Sequence, residues 1–284
     1  MLGSALNPTL NQRKHKVFVT DVIASPDDGI KYLDVRDYKQ LEESVEEIKP
    51  DMVMHLAAET DVDKCELEPD HAYLTNTIGT QNVTIVCQKQ DIPMVYISTI
   101  GVFYGDQIEP YTEFDAPNPI NIYGRSKLEG EKIVVNLLKK YYIVRAGWMI
   151  GGGPKKDKKF IGKIIKQTTE TSRLKAVNDK IGSPTYTVDF SRCLSSLIET
   201  GYYGLYHCTN KGYCSRFDVA KKIVEFLGRS DDITVDQVSS AHFPLPAARA
   251  RSEMSRNYKL ELMGMETPRN WEEALKEYIT TSWK

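Results

Sequence analysis

The sequence predicts an α/β fold: a doubly wound parallel sheet over residues 1–150, followed by a smaller α/β lobe over 151–284. Three observations carry this. Short apolar runs alternate with longer amphipathic stretches through the first two-thirds of the chain, which is the pattern of βαβ units and a parallel sheet. That pattern breaks at the glycine triplet 151–153 and the lysine-rich stretch 155–159. At about 150 residues per domain, a length of 284 residues suits two domains or one large one.

Each element follows from its own stretch of sequence. Residues 17–20 form a short β-branched run ending at Asp21 and read as a strand. Helical spacing covers 39–48, with Leu41, Val45 and Ile48 on one face. Residues 52–56 read as a buried strand, 80–88 as a helix and 94–98 as the next strand. Residues 126–138 are helical, with Leu128, Ile133, Val134 and Leu137 at the apolar positions, and 142–145 form another short strand. Beyond the break, 160–168 read as a helix. Gly182-Ser183-Pro184-Thr185 reads as a turn into an extended segment. Residues 217–227 form an amphipathic helix with Val219, Ile223, Val224 and Phe226, and 271–279 form another. The chain is expected to cross between lobes near residue 150, with 181–200 returning to the sheet domain. Such Rossmann-like sheets bind ligands outside the carboxyl ends of their strands, so the residues just after each apolar run are the candidates for function.

Composition narrows the function classes. The chain is 41% hydrophobic and 27% charged, ordinary for a soluble globular protein. Lys+Arg is 37 and Asp+Glu is 39, a net charge of −2. That balance argues against nucleic acid or an anionic membrane as the main partner, since both want a basic excess. No apolar run is long enough to span a membrane, and the N-terminal residues lack a signal-peptide apolar core. Cys65, Cys87, Cys193, Cys208 and Cys214 are scattered and unpatterned. They read as reduced thiols of a cytoplasmic protein. His55, His71 and His207 have no metal-ligand spacing, so no metal is expected.

The strongest chemical signal is Tyr123-Gly124-Arg125-Ser126-Lys127, opening a helix. Tyr at i and Lys at i+4 share one helical face. An ammonium beside a phenol favours the phenolate and draws a tyrosine pKa from about 10 toward the working pH. Such a tyrosine serves as general acid or base for a carbonyl–alcohol couple. Alone, the spacing equally fits an ordinary surface pair on a helix. Its context adds weight. Ser98-Thr99 ends an expected strand and offers a hydroxyl to the same substrate oxygen. The small residues of His55-Leu56-Ala57-Ala58-Glu59-Thr60, after another strand, let a flat cofactor approach the backbone.

Taken together, Ser98-Thr99, Val102-Phe103, Tyr111-Thr112-Glu113 and Asn121-Ile122-Tyr123-Gly124-Arg125-Ser126-Lys127-Leu128-Glu129-Gly130-Glu131 resemble the extended short-chain dehydrogenase/reductase family. Within it the chain is most similar to the dTDP-4-dehydrorhamnose reductases. Further matches are Thr60-Asp61-Val62-Asp63-Lys64-Cys65-Glu66, Arg145-Ala146-Gly147-Trp148, Gly182-Ser183-Pro184-Thr185-Tyr186 and Pro246-Ala247-Ala248-Arg249. The resemblance implies a cofactor, NADH or NADPH, a nucleotide-sugar substrate, and reduction of the C4 keto group of a nucleotide-linked 4-dehydro-6-deoxy sugar. A sugar-nucleotide epimerase and a non-catalytic binding subunit on the same scaffold are the alternatives, and a homodimer is left open.

The resemblance also assigns roles. Thr99, Tyr123 and Lys127 match the family's catalytic set. Tyr123 would protonate the C4 oxygen. Lys127 would bind the nicotinamide ribose and lower the Tyr123 pKa, and Thr99 would stabilise the charge developing on oxygen. Gly3, Asp21, Asp34, Val35, Ala57, Ala58 and Asn76 fall at cofactor positions, with Asn76 either beside the cofactor or structural. Asp21 stands where an acidic residue holds the adenosine ribose hydroxyls, which favours NADH. Asp61, Val62, Lys64, Trp148 and Arg249 match positions near the sugar nucleotide. An arginine fork suits a diphosphate, and a tryptophan packs on a sugar face. Trp148 is also readable as a core residue, and Arg249 as a surface charge.

The chain departs from the family pattern twice. The family usually carries Asp-Tyr after Ser-Thr, whereas this chain has Ile100-Gly101. Contacts from those two side chains are absent, so the substrate is less fixed than the reaction type. Dehydratases need further acid/base groups there, which this pair does not supply. The family also opens with an apolar strand and a glycine-rich turn that meets the pyrophosphate at a helix N-terminus. Met1-Leu2-Gly3-Ser4-Ala5-Leu6 matches the end of that motif, with Gly3 as its last glycine. A sheet lacking its first strand and most of the glycine loop is therefore expected. A start placed too late, a shortened copy and a non-catalytic relative would each account for it.

Overall fold

The computed structural model describes residues 1–283. The chain opens with helix α1 (Leu2–Gln12), which buries Leu2, Leu6 and Leu10 at helical spacing. Strands β1 (Val19–Asp21) and β2 (Ile30–Tyr32) follow, then α2 (Tyr38–Ile48). The Asp37 carboxylate caps α2 by accepting the Gln40 amide at 3.1 Å. Next come β3 (Val53–His55), α3 (Val62–Leu67), α4 (Pro69–Tyr73) and α5 (Gly79–Lys89), with a π-helical turn at Leu74–Ile78 joining the last two. Strand β4 (Met94–Thr99), helix α6 (Ile122–Leu137) and strand β5 (Tyr141–Ala146) complete the regular part.

The remainder uses shorter pieces. They are β6 (Trp148–Ile150), α7 (Gly153–Lys156), α8 (Phe160–Thr168), β7 (Arg173–Val177), β8 (Ile181–Gly182) and β9 (Pro184–Tyr186). Helix α9 (Thr187–Ile198), strand β10 (Gly204–His207), strand β11 (Cys214–Ser215) and helix α10 (Arg216–Phe226) follow. The chain ends with β12 (Thr234–Val238), β13 (Ser252–Glu253), α11 (Tyr258–Leu262) and α12 (Trp271–Ser282).

The main sheet is parallel, in the order β10-β5-β4-β3. Strands β1 and β2 form a separate parallel pair. Among the described residues no strand bridges that pair to the main sheet. The sequence reading placed no strand at 204–207. That segment nevertheless pairs with β5, from Gly204 opposite Tyr142 to His207 opposite Arg145, so the chain returns to the main sheet after the second lobe has begun.

Helices cover both faces of the sheet, as a parallel sheet requires. On one face Leu6 and Leu10 of α1 and Phe190, Leu194 and Leu197 of α9 pack with Val95, Tyr142 and Val144. On the other, Leu41 and Val45 of α2, Val83 and Val86 of α5 and Val134 of α6 pack with Met94, Tyr96 and Ile143. A separate core joins α8, α10 and α12 around Leu174 and Ala176 of β7. Among the described residues no helix is long and apolar enough to cross a membrane.

One polar contact is buried inside this packing. Arg145 on β5 grips Glu131 on α6 through two bonds, Nε to Oε1 at 2.8 Å and an Nη to Oε2 at 2.7 Å. The Ser98 hydroxyl on β4 donates to the same carboxylate at 2.5 Å. The two charged side chains are only 3% and 4% exposed, so either one alone would be a buried charge without a counterion. Glu131→Ala is therefore expected to cost about 3–5 kcal/mol of folding stability, read from urea unfolding at neutral pH. A loss below about 1 kcal/mol, the level of an exposed pair, would contradict this reading.

Candidate active site

The carboxyl ends of β3 and β4 meet the start of α6. Three contacts fix that helix end. The Asn121 side chain accepts the Gly124 amide at 2.9 Å and donates to the Ala248 carbonyl at 2.9 Å, and Glu66 accepts the Ile122 amide at 3.0 Å. Helix and sheet then touch through two glycines. A Cβ on Gly124 would lie 2.3 Å from the Gly101 carbonyl oxygen, and one on Gly130 would lie 2.4 Å from the Tyr96 hydroxyl. Neither position has room for a side chain, and that closeness sets Tyr123 against the turn that follows β4.

Thr99 ends β4. Its oxygen accepts the Gly101 amide at 3.0 Å, closing the turn Ile100–Val102. Its hydroxyl proton remains available, and Thr99 lies close enough to Tyr123 to favour the ionised phenol. Burial pushes the Tyr123 phenol up to about 12; Thr99 pulls the other way, while Cys65 and Glu253 add to the rise. Lys127 is 3% exposed, and its ammonium lies 4.1 Å from the centre of the Tyr96 ring. Burial lowers it to about 7, against the opposing pull of Glu131. The expectation that Lys127 draws the Tyr123 pKa down is thus corrected. Loss of water around the phenol dominates, and the lysine faces Tyr96 and Glu131.

The cofactor-side residues divide into two groups. Gly3 lies in the first turn of α1, which no side chain caps. Asp21 is exposed at the carboxyl end of β1, one oxygen accepting the Ile23 amide at 3.0 Å. Ala57 is exposed and Ala58 half-buried in the loop after β3. Asn76 is fully buried within the π-helical turn. It accepts the Glu59 amide at 2.8 Å and donates to the Glu59 carbonyl at 3.1 Å and the Ser126 hydroxyl at 3.0 Å. Its amide is occupied by protein, so it holds the β3 loop against α6. Asp34 is held bidentately by Arg36, whose guanidinium keeps the carboxyl below its usual range. Val35 belongs to the core against α5.

Several expected substrate residues carry local structure. Asp61 caps α3, accepting the Asp63 and Lys64 amides at 3.1 Å each. Lys64 pairs with Glu59 at 3.0 Å, and Val62 is half-buried at the start of α3. Arg249 pairs with Asp63 at 2.9 Å and donates to the Ala247 carbonyl at 2.7 Å, so its fork is engaged within the protein. Trp148 is half-buried on β6. Its indole N–H donates to Glu253 at 2.5 Å, and the Arg216 guanidinium stacks 3.8 Å from its ring centre.

Arg216, Glu253 and the buried Glu131–Arg145 pair were not assigned from sequence. The capping box Ser215–Asp218 is legible locally and would have placed Arg216 at a helix start. Glu253 carries no local signal, because only the long return of the chain through β13 brings it beside the turn after β4. Lys159, from the lysine-rich stretch 155–159, reaches back to within 3.4 Å of the Thr60 hydroxyl.

Comparison with known proteins bears on this arrangement. Residues 1–283 match the family described as RmlD substrate binding domain. The chain is 34% identical to the Bacillus subtilis spore coat polysaccharide biosynthesis protein SpsK, over 88% of this chain and 86% of that one. It is 35% identical to a Mycolicibacterium smegmatis dTDP-4-dehydrorhamnose reductase, over 81% of this chain and 70% of that one. The Bacillus anthracis dTDP-4-dehydrorhamnose reductase, solved in complex with NADP, superposes with a TM-score of 0.84 at 38% identity, covering 90% of this chain and 92% of that one. Match, identity and coverage agree: the chain belongs to the RmlD substrate binding domain family.

Proposed function

We propose that this chain uses NADH or NADPH to reduce the C4 keto group of a nucleotide-linked 4-dehydro-6-deoxy sugar, as the dTDP-4-dehydrorhamnose reductases among its relatives are named for doing. The observation that carries this reading is the close Gly101–Gly124 contact, which sets Tyr123 at the start of α6 against Thr99 at the end of β4, with buried Lys127 one turn further along α6. The residues present fit the cofactor. The uncapped first turn of α1, including Gly3, would meet the phosphates. Exposed Asp21 would hold the adenosine ribose, and Ala57 and Ala58 leave the backbone approachable.

When bound, the reduced nicotinamide supplies the hydride for C4. Tyr123 gives its proton to the C4 oxygen as negative charge develops there, so carbon gains hydride and oxygen gains the proton. Because the Thr99 oxygen already accepts from Gly101, its hydroxyl is oriented to donate to that same centre. A raised phenol pKa keeps Tyr123 protonated before the reaction, as a general acid must be. Lys127 stands near half-protonation at neutral pH, and Glu131 favours its ammonium. Lys127 would bind the nicotinamide ribose, and Tyr123 is reprotonated from water.

Tyr123→Phe is expected to lower kcat by about 10²- to 10⁴-fold while leaving the Kd for the cofactor nearly unchanged, read from nicotinamide absorbance and fluorescence titration. A Phe variant with wild-type turnover contradicts the general-acid role. Asp21 would oppose a 2′-phosphate, so the KM for NADH is expected to lie below that for NADPH, and Asp21→Ala to narrow the difference. A strong NADPH preference in the unaltered protein contradicts the Asp21 assignment.

A further inference from the structure

We propose that Glu253 selects the substrate: its carboxylate accepts a hydrogen bond from the sugar hydroxyl on C3, the carbon beside the carbonyl being reduced. This rests on the reductase reading above and names which substrate group the second lobe recognises.

Glu253 ends β13, whose backbone is fixed by pairing with β8 and by the Ser183 amide donating to the Glu253 carbonyl at 3.2 Å. Its side chain is oriented at one oxygen. The Trp148 indole N–H holds Oε2 at 2.5 Å. Among the described residues no protein donor reaches Oε1. That oxygen faces the turn after β4: a Cβ on Gly101 would lie 3.4 Å from Glu253 Oε1 and 3.3 Å from Thr99 Oγ1. A Cβ there would press on both oxygens, so the glycine is what lets the Glu253 acceptor oxygen come this close to the catalytic hydroxyl.

The charge is supported from behind. Arg216 lies against the Trp148 ring and faces Glu253, so a cation compensates the carboxylate without covering Oε1. A carboxylate oxygen accepts hydrogen bonds, so a substrate group that meets Oε1 brings a donor. In a 4-dehydro-6-deoxy hexose the carbons flanking C4 are C3, which bears a hydroxyl, and C5, which bears the methyl group. Only C3 offers a donor next to the reacting centre. A carbonyl lying between Thr99 and Tyr123 puts that hydroxyl within reach of Oε1, and the bond orients the face of the sugar that receives hydride.

The test compares dTDP-4-dehydrorhamnose with its 3-deoxy analogue. The unaltered protein is expected to prefer the 3-hydroxy sugar by about 10- to 100-fold in kcat/KM, the range for a hydrogen bond to a charged group. Glu253→Ala should erase most of that preference by losing the 3-hydroxy sugar selectively, and Glu253→Gln, which keeps an acceptor oxygen, should restore part of it. An equal loss on both sugars would mark a merely structural role, and an unchanged preference would remove Glu253 from recognition. Either result overturns the proposal. So would uptake of solvent deuterium at C3 that depends on Glu253, because the carboxylate would then be a base. Calorimetric binding of dTDP-L-rhamnose and its 3-deoxy analogue separates the two readings. Discrimination in binding that is lost in the Ala variant, in a protein without turnover, upholds Glu253 and sinks the reductase reading. Turnover without discrimination does the reverse.

Discussion

The active arrangement depends on the buried contact of Glu131 with Arg145 and Ser98. Lys127 and Glu131 are four residues apart on α6 and share a face, so the contact that fixes Glu131 also fixes Lys127 and, one turn earlier, Tyr123. On the strand side Ser98 and Thr99 are consecutive and point to opposite faces of the sheet. Ser98 binds the clamp while Thr99 faces the Tyr123 hydroxyl. A buried ion pair of this kind adds little net stability over a well-packed apolar substitute. Its contribution here is positional and electrostatic: it seats the helix on the sheet at the glycine contacts and keeps a negative charge behind Lys127.

The two lobes divide the work. The sheet domain provides Thr99, Tyr123 and Lys127 at the carboxyl ends of its strands, where a parallel sheet presents its ligands. Trp148, Arg216 and Glu253 come together beside the turn after β4, joined by the Trp148–Glu253 bond and the Arg216–Trp148 stack. Between the lobes, Arg249–Asp63 and Asn121–Ala248 tie the 246–250 loop to α3 and to the start of α6. Asp61, Lys64 and Arg249, expected near the sugar nucleotide, also make contacts within the protein: Asp61 caps α3, Lys64 pairs with Glu59 and Arg249 with Asp63.

Much of the sheet domain was legible in the sequence because its signals are local. The spacing of Leu41 and Val45 marks α2, and the apolar residues Met94–Ile97 mark a strand buried on both faces. The start of α6 lies at Ile122 rather than 126 because Asn121 supplies the cap. Strand β10 escaped notice: four residues opening on a glycine carry no periodic signal, and pairing with β5 alone defines them. The site follows the same rule. Tyr123 and Lys127 were readable because one helix spaces them. Glu253 was not, because it meets Gly101 only through the tertiary fold. The direction of the Tyr123 shift was also hidden, since it is set by burial rather than by a neighbour in sequence.

Transfer of isotope from cofactor to sugar tests the central claim most directly. The protein is incubated with nicotinamide cofactor deuterated at C4 and dTDP-4-dehydrorhamnose, and the product is read by NMR. Reduction at the Thr99–Tyr123 pair predicts one deuterium at C4 of the sugar for each cofactor oxidised. Recovery of sugar with no deuterium at C4, or with solvent hydrogen exchanged at C3 or C5 and no net cofactor oxidation, would contradict it.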